Sequence, residues 1–252
     1  MDKKIFNNYA KYYDLIYKKK NYLRETKYIH NLLKFNKSKK NVLEIGCGTG
    51  EHAICLSKYN YKIFGIDMSN NMIKIAKSKN YDKNKLKFKT LDVLKLNHKK
   101  KYDSIISMFH VINYLTTKKK IIKAFKNINK SLKNNGLFLF DFWYAPAVRK
   151  KQLAIRSKSF ANKNLVITRK VTPKLYKKNI TKINIKISLK NKINHQTKFF
   201  LENHKVRYFE IYELKKILNL SGFNIINTYE WLKKNKPNAN NWSALIVAEK
   251  IN

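Results

Sequence analysis

Val42-Leu43-Glu44-Ile45-Gly46-Cys47-Gly48-Thr49-Gly50 runs from a short apolar strand into a turn built of glycines. Residues 51–59 then have apolar positions at helical spacing. Strand, glycine turn and helix make a cradle at a strand end, where a ligand can lie across the carboxyl edge of a sheet. Glycines at 46, 48 and 50 permit positive φ and a close backbone approach to that ligand. NAD(P)-binding chains share this architecture, but here the spacing is G-x-G-x-G rather than G-x-G-x-x-G. An acidic residue, Glu44, also stands two positions before the first glycine. No Lys-Ser/Thr pair follows the loop, which argues against a Walker-type phosphate loop.

Outward from the cradle, residues 9–35 carry Tyr, Leu and Ile at helical spacing and read as helix. Strands are predicted over 61–66, 86–90, 102–108 and 137–142, with helices over 70–79 and 118–132 and Ser69 as an N-cap. Strands alternating with helices predict a parallel sheet covered on both faces. The pattern changes after Pro146, where Ile183, Ile185, Ile187 and Leu189 recur at period two, as in antiparallel strands covered on one face. A helix over 211–220 and two strands over 223–231 and 242–249 close the chain. The expected fold is therefore α/β, doubly wound, with a mostly parallel seven-stranded sheet and an antiparallel β insertion after strand five. The expected organisation is a helical lid over residues 1–36, a core of 37–146 with 208–252, and a β-rich insertion over 147–207 covering the acceptor pocket.

Apolar residues make up 44% of the 252, enough for a core, yet no apolar run approaches the roughly 20 residues that span a bilayer. The opening residues have no signal-peptide pattern, so a soluble, cytoplasmic protein is expected, as monomer or homodimer. Two cysteines, Cys47 and Cys55, lack metal-ligand spacing and make no disulfide framework, so no metal is expected. The net charge of +41 favours anionic partners, nucleic acid among them. Only five of the 56 basic residues are arginine and the lysines are spread along the chain, a pattern that also fits solvated surface lysines of compositional origin.

Asp67 closes the second strand 23 positions after Glu44, where a carboxylate can accept hydrogen bonds from two ribose hydroxyls. Asp92-Val93 follows the third strand, where side chain and backbone can bond an adenine edge. Glu44 to Gly50, Gly65-Ile66-Asp67-Met68-Ser69 and Leu91-Asp92-Val93 together resemble the cofactor motifs of class I S-adenosylmethionine-dependent methyltransferases, over residues 40–142. The resemblance implies S-adenosylmethionine as cofactor and a Rossmann-like methyltransferase core. It implies that Glu44, Gly46, Cys47, Gly48 and Gly50 hold the methionine part, that Asp67 holds the ribose and that Met68 packs on the adenine. Asp92 and Val93 would bond the adenine, with Met108 beside them in the cofactor site.

The acceptor is expected past the fourth strand, in Ser107-Met108-Phe109-His110-Val111-Ile112-Asn113-Tyr114-Leu115. An amine acceptor must lose a proton before it can attack, which makes His110 and Tyr114 catalytic candidates. The Asn/Asp-Pro-Pro-Tyr/Phe signature of DNA amino-methyltransferases and the Pro-Cys pair of cytosine C5 enzymes are both missing. Tyr12 to Tyr17, Asn21-Tyr22, Ser107-Met108-Phe109, Asp141 to Pro146 and the β-rich insertion resemble bacterial methyltransferases that N-methylate nucleotide-linked amino sugars. That resemblance implies a tyrosine helix closing the pocket, with Tyr17 facing the acceptor and Tyr13 beside it. Those enzymes carry Gly-Arg-Gly before the last strand, where this chain has Asn241-Trp242-Ser243, and small residues where it has His110 and Asn113. Trp143, Trp242 and Asn113 are candidate acceptor contacts. Arg169, Lys170, Lys174, Lys177, Lys178, His204 and above all Arg207 are candidate partners for acceptor phosphates. The alternatives are a small-molecule O-methyltransferase and, on the charge, an RNA methyltransferase.

Overall fold

A computed structural model describes residues 9–34, 40–79, 81–151, 153–177 and 179–251. The outer parts of the expected lid, residues 1–8 and 35–36, and Lys178 lie outside the described residues. The order of elements is α1 (Ala10–Ile16), α2 (Tyr22–Leu33), β1 (Asn41–Ile45), α3 (Glu51–Ser57), β2 (Lys62–Asp67), α4 (Asn70–Ser78) and β3 (Leu86–Thr90). There follow β4 (Tyr102–Ser107), α5 (Lys118–Ser131), β5 (Leu132–Trp143), α6 (Ala145–Lys151), β6 (Arg156–Ala161) and β7 (Leu165–Lys177). Then come β8 (Ile180–Asn191), β9 (Thr197–Arg207), α7 (Ile211–Asn219), β10 (Phe223–Glu230) and β11 (Ser243–Lys250). Short 3-10 turns occupy Val93–Lys95 and Val111–Tyr114.

Among the described residues these strands form two sheets. Seven strands run in the order β10-β11-β5-β4-β1-β2-β3, and β6 to β9 form a separate antiparallel sheet in sequence order. β1 to β5 are mutually parallel, whereas β11 lies antiparallel between β5 and β10, with Ser243 opposite Trp143. The chain order reverses between β1 and β4, and this is where a doubly wound sheet opens a crevice at its strand ends.

Successive side chains along a strand point to opposite faces, so the strands feed two cores. Leu43 and Ile45 of β1 join Phe138, Phe140 and Phe142 of β5 under α5 and α7, while Val42, Leu137 and Leu139 face the other way under α2 and α3. A third cluster joins Tyr9 and Ile16 of the first helical segment to Ile167, Ile183, Ile185 and Ile187 on the inner face of the four-stranded sheet. The first helix and the insertion thus close over the same end of the main sheet.

Two local features differ from expectation. Residues 9–35 are not one helix, because Asn21 Oδ1 accepts from Arg24 N at 2.9 Å and starts α2 afresh after a turn at Tyr17. Residues 145–151 are helical rather than the start of a β-rich stretch. Pro146 lies in the first turn of α6, where its missing N–H costs no intrahelical bond.

Candidate active site

The glycine turn bends with φ of +70° at Gly46 and +54° at Gly48, a region open to glycine and costly for most other residues. A Cβ on Gly46 would lie 2.4 Å from Val111 Cγ2, so the loop packs against the turn after β4 with no space for a side chain. A Cβ on Gly48 would meet nothing within 4 Å, because that position faces open space at the strand ends. Asp67 braces the turn: Gly48 N donates to its Oδ2 at 3.0 Å and Ser69 N to its Oδ1 at 2.8 Å. Burial raises the Asp67 carboxyl above its ordinary range despite those bonds.

Beyond this turn lies a cavity of about 1110 Å³. Gly46, Cys47, Gly48, Asp67, Met68, Asp92, Val93 and Met108 line one part of it. Asp92 Oδ1 caps the turn Val93–Lys95 through Leu94 N at 2.9 Å, which fixes the carboxylate at the cavity edge. A carboxylate on the rim of β2, a glycine with unfilled space above it and a wall of Met68, Leu91 and Val93 fit the adenosyl and amino-acid parts of S-adenosylmethionine.

Glu44 is placed differently. It is 1% exposed and lies beneath the cavity rather than on its wall, with Oε1 3.8 Å from His52 Nδ1 and a backbone hydrogen bond from Ala53. Its Oε2 has no hydrogen-bond partner among the described residues. Burial first, and then the nearby Asp67 carboxylate, push the Glu44 carboxyl up to about 8. Gly50 also stands off the wall, as the left-handed residue that starts α3 with φ of +83°. Both shape the loop from behind.

The tyrosine segment closes the cavity from above. Thr49 Oγ1 donates to Asp14 Oδ1 at 2.6 Å, and Lys79 Nζ reaches Asp14 at 2.8 Å and Glu51 at 2.5 Å. Tyr13 and Tyr17 pack with tilted rings, centroids 4.6 Å apart, and Tyr17 meets Phe109 edge-on at 5.1 Å. Glu25 pairs with Lys20 and, at 2.7 Å, with His52 Nε2, which anchors the turn between α1 and α2 over α3.

The end of the cavity past β4 is built on two strained residues. Phe109 and His110 have φ of +67° and +63°, in the region that non-glycine residues enter at a cost. Asp141 holds this conformation: His110 N donates to Asp141 Oδ1 at 2.9 Å, and His110 Nε2 lies 3.3 Å from Asp141 Oδ2 and 2.7 Å from Ser243 Oγ. Burial pulls the His110 imidazole below its ordinary range against the Asp141 charge, and burial likewise raises the Asp141 carboxyl. Asn113 Oδ1 accepts from Trp143 N at 3.4 Å, while its buried Nδ2 has no hydrogen-bond partner among the described residues. Tyr114 Oη lies 2.9 Å from His204 Nδ1, and Trp143 and Trp242 meet edge to face at 5.3 Å.

His110, Tyr17, Tyr114, Tyr13, Asn113, Trp143 and Trp242 all line the same cavity as the glycine turn. Arg207 does not. Its guanidinium is engaged by Glu213 of α7 and by Thr116 O at 3.3 Å, so it ties the insertion to the core. Lys170, Lys174 and Lys177 also stand off the wall, and Lys170 pairs across strands with Lys186. Arg169 and His204 are on the wall. Arg156 and Lys158, which sequence reasoning missed, line it as well, with Lys158 directly opposite Arg169 across β6 and β7. They lie in β6, a short, mostly exposed strand whose sequence has no apolar alternation to mark it. Asp141 and Ser243, also missed as site residues, come together only through the pairing of β5 with β11. Among the described residues no group of three or more His, Cys, Asp or Glu is placed to hold a metal ion, and no helix is long and apolar enough to cross a membrane.

Comparison with known proteins fits this geometry. A family model described as a methyltransferase domain matches residues 17–228. YqeM of Bacillus subtilis is 30% identical over 138 residues, 54% of this chain and 55% of that protein. A malonyl-[acyl-carrier protein] O-methyltransferase of Ilyobacter polytropus is 39% identical over 103 residues, 40% of this chain and 38% of that one. The dTDP-3-amino-3,4,6-trideoxy-alpha-D-glucopyranose N,N-dimethyltransferase of Streptomyces venezuelae is 26% identical over 145 residues, 55% of this chain and 59% of that one. The chain spans about half the length of the first two curated relatives it matches. In three dimensions it is similar to an S-adenosylmethionine-dependent methyltransferase from Clostridium acetobutylicum, with a TM-score of 0.80 at 19% identity, covering 98% of this chain and 99% of that one. The sugar N-methyltransferase KedS8 from Streptoalloteichus also gives 0.80, at 16% identity, covering 95% and 93%. The chain belongs to the methyltransferase-domain family and has its Rossmann-like fold.

Proposed function

We propose that this chain transfers the methyl group of S-adenosylmethionine to the amine of a nucleotide-linked amino sugar. The observation that carries the proposal is a single cavity with two chemistries. Gly48, Asp67 and Asp92 stand at one part of its wall, and Arg156, Lys158 and Arg169 of the insertion stand at another. Arg169 Nε is buried with no hydrogen-bond partner among the described residues, a state that an anionic group on the acceptor relieves. Trp143 and Trp242 offer apolar faces of the kind that pack on a sugar.

S-adenosylmethionine supplies a methyl group on a positively charged sulfur. The chain's own residues hold and align the reactants and exclude water. The glycine turn holds the methionine part, Asp67 the ribose, and Asp92 with Met68 the adenine. Tyr13 and Tyr17 close the lid, His110 and Asn113 orient the acceptor, and Tyr114 takes its proton. In this reading residues 1–36 act as the lid and residues 147–207 as the acceptor cover.

The experiment is a transfer assay with labelled S-adenosylmethionine and three acceptors at moderate salt: a dTDP-linked amino sugar, its hydroxyl analogue and total RNA. Labelling of the amino sugar alone is the expected result. Labelling of the hydroxyl analogue converts the assignment to O-methylation, and labelling of RNA alone overturns it.

A further inference from the structure

Tyr114 ends the short turn after β4, and its hydroxyl begins a line of three polar groups. His204 Nδ1 lies 2.9 Å from Tyr114 Oη, and His204 Nε2 lies 3.2 Å from Glu202 Oε2. Glu202 and His204 are alternate residues of β9, so both point to the inner face of the insertion sheet, opposite Ile185 and Ile183. They are 6% and 2% exposed, within a layer that also holds Ile167, Ile183, Ile185 and Ile187. Burying an imidazole and a carboxyl in such a layer is costly unless each is hydrogen-bonded. Charge supply makes the placement more pointed. Between residues 156 and 207 there are fifteen basic residues and one acidic residue, and the acidic one is Glu202. It sits behind His204, which lines the cavity with Tyr114.

We propose that Tyr114, His204 and Glu202 form a proton relay that carries the acceptor's proton out of the cavity into the insertion sheet. The proposal rests on the N-methylation reading. The N–H bond of the acceptor ammonium breaks and its proton passes to Tyr114 Oη, while the Tyr114 proton passes to His204 Nδ1. The pair left on nitrogen is then available to the methyl carbon. His204 becomes an imidazolium whose Nε2–H points to Glu202, and it returns the proton along the same bonds after the product leaves. Tyr114 is a catalytic residue in this scheme, and His204 and Glu202 are positioning residues that act through it. Tyr9, Tyr13 and Tyr17 from the first helical segment, Arg169 from β7, Asp67 from β2 and Glu202 from β9 make up the electrostatic surroundings of the tyrosine ring. Burial keeps the Tyr114 phenol well above its ordinary range, so it serves as a conduit rather than as a stored phenolate.

Two measurements on the full chain test the relay. The first is nitrogen NMR of histidine-labelled protein, with His204→Gln used for assignment. The relay requires the Nε2–H tautomer, with Nδ1 accepting from Tyr114 and shifting in Tyr114→Phe. An Nδ1–H tautomer overturns it, because His204 would then donate to the tyrosine. The second is the pH profile of methylation of a dTDP-linked amino sugar. Glu202→Gln and Tyr114→Phe are expected to lose about 100-fold in kcat/KM at neutral pH, with S-adenosylmethionine affinity within twofold. The loss should shrink as pH rises toward the amine's own pKa, where the acceptor needs no base. A loss equal at every pH assigns the three residues a structural role and overturns the relay. If no amino sugar is methylated, the function reading fails, and the tautomer alone decides whether the geometry a relay needs is present.

Discussion

Thr49 Oγ1 donates to Asp14 Oδ1 at 2.6 Å, and this bond joins the first helix to the glycine turn across 35 positions of sequence. Asp14 is also paired with Lys79, so the first helix is fastened to α4 as well as to the loop. The Asp14 side chain keeps 40% of its exposure, so solvent weakens both contacts.

Thr49→Val keeps the shape of the residue and removes the donor. It is expected to cost about 1 kcal/mol of lid closure, or roughly a fivefold weakening of S-adenosylmethionine binding by calorimetry. The melting temperature should move little, since Lys79 still holds Asp14. Unchanged affinity would show that the lid closes independently of the cofactor.

Asp67 accepts from Gly48 N and Ser69 N in the fold, beside the ribose role proposed for it, and this changes what its replacement should do. Asp67→Ala is therefore expected to lower both cofactor affinity and thermal stability, the latter by about 1–3 kcal/mol for the orphaned donors. Asp67→Asn retains an acceptor and should recover part of the stability but not the affinity. Full affinity in either variant removes the ribose assignment.

Glu44 gives a pH prediction with a definite sign. Its folded carboxyl is pushed up to about 8, chiefly by burial, from an ordinary value of 4.5. Between those values the folded state holds a proton that the unfolded state has released. The stabilising contribution is complete below the lower value and is lost as pH rises through the upper one. Glu44→Gln cannot ionise, so it should melt above the parent chain at pH 9, with the gap closing toward pH 4. The high-pH difference should be on the order of a few kcal/mol. Parallel melting curves at all pH values would show that Glu44 is ionised in the fold.

What the sequence made visible was local, and what it hid was not. The glycine turn, Asp67, Asp92 and the Ser69 cap each follow a strand within a few residues, so their chemistry could be placed by counting. Period-two spacing exposed the insertion strands because one of their faces is buried. Arg207 reads from sequence as a candidate phosphate partner, but Glu213 on the next helix engages its guanidinium. Asp141 and Ser243 meet His110 across 31 and 133 positions of sequence, and the Tyr114–His204 bond spans 90. No local pattern encodes such contacts. The break at Tyr17 was hidden for another reason: the apolar spacing continues through it, and only the Asn21 cap marks the new helix.

That break bears on the last prediction. Tyr17 ends α1 at a C-cap, packs at a tilt on Tyr13 and meets Phe109 edge-on, while Tyr9 Oη donates to Tyr17 Oη at 3.4 Å. The ring is held by packing, so the hydroxyl can be removed without loosening the lid. Tyr17→Phe should then leave S-adenosylmethionine affinity within about twofold and the melting temperature nearly unchanged, because a long hydroxyl pair contributes about 1 kcal/mol at most. Turnover should fall further, by roughly tenfold or more, if the hydroxyl orients the acceptor at the end of the cavity. Measuring both on one preparation separates the roles: a loss confined to kcat places the hydroxyl on the acceptor, and equal losses in affinity and turnover assign it to the lid.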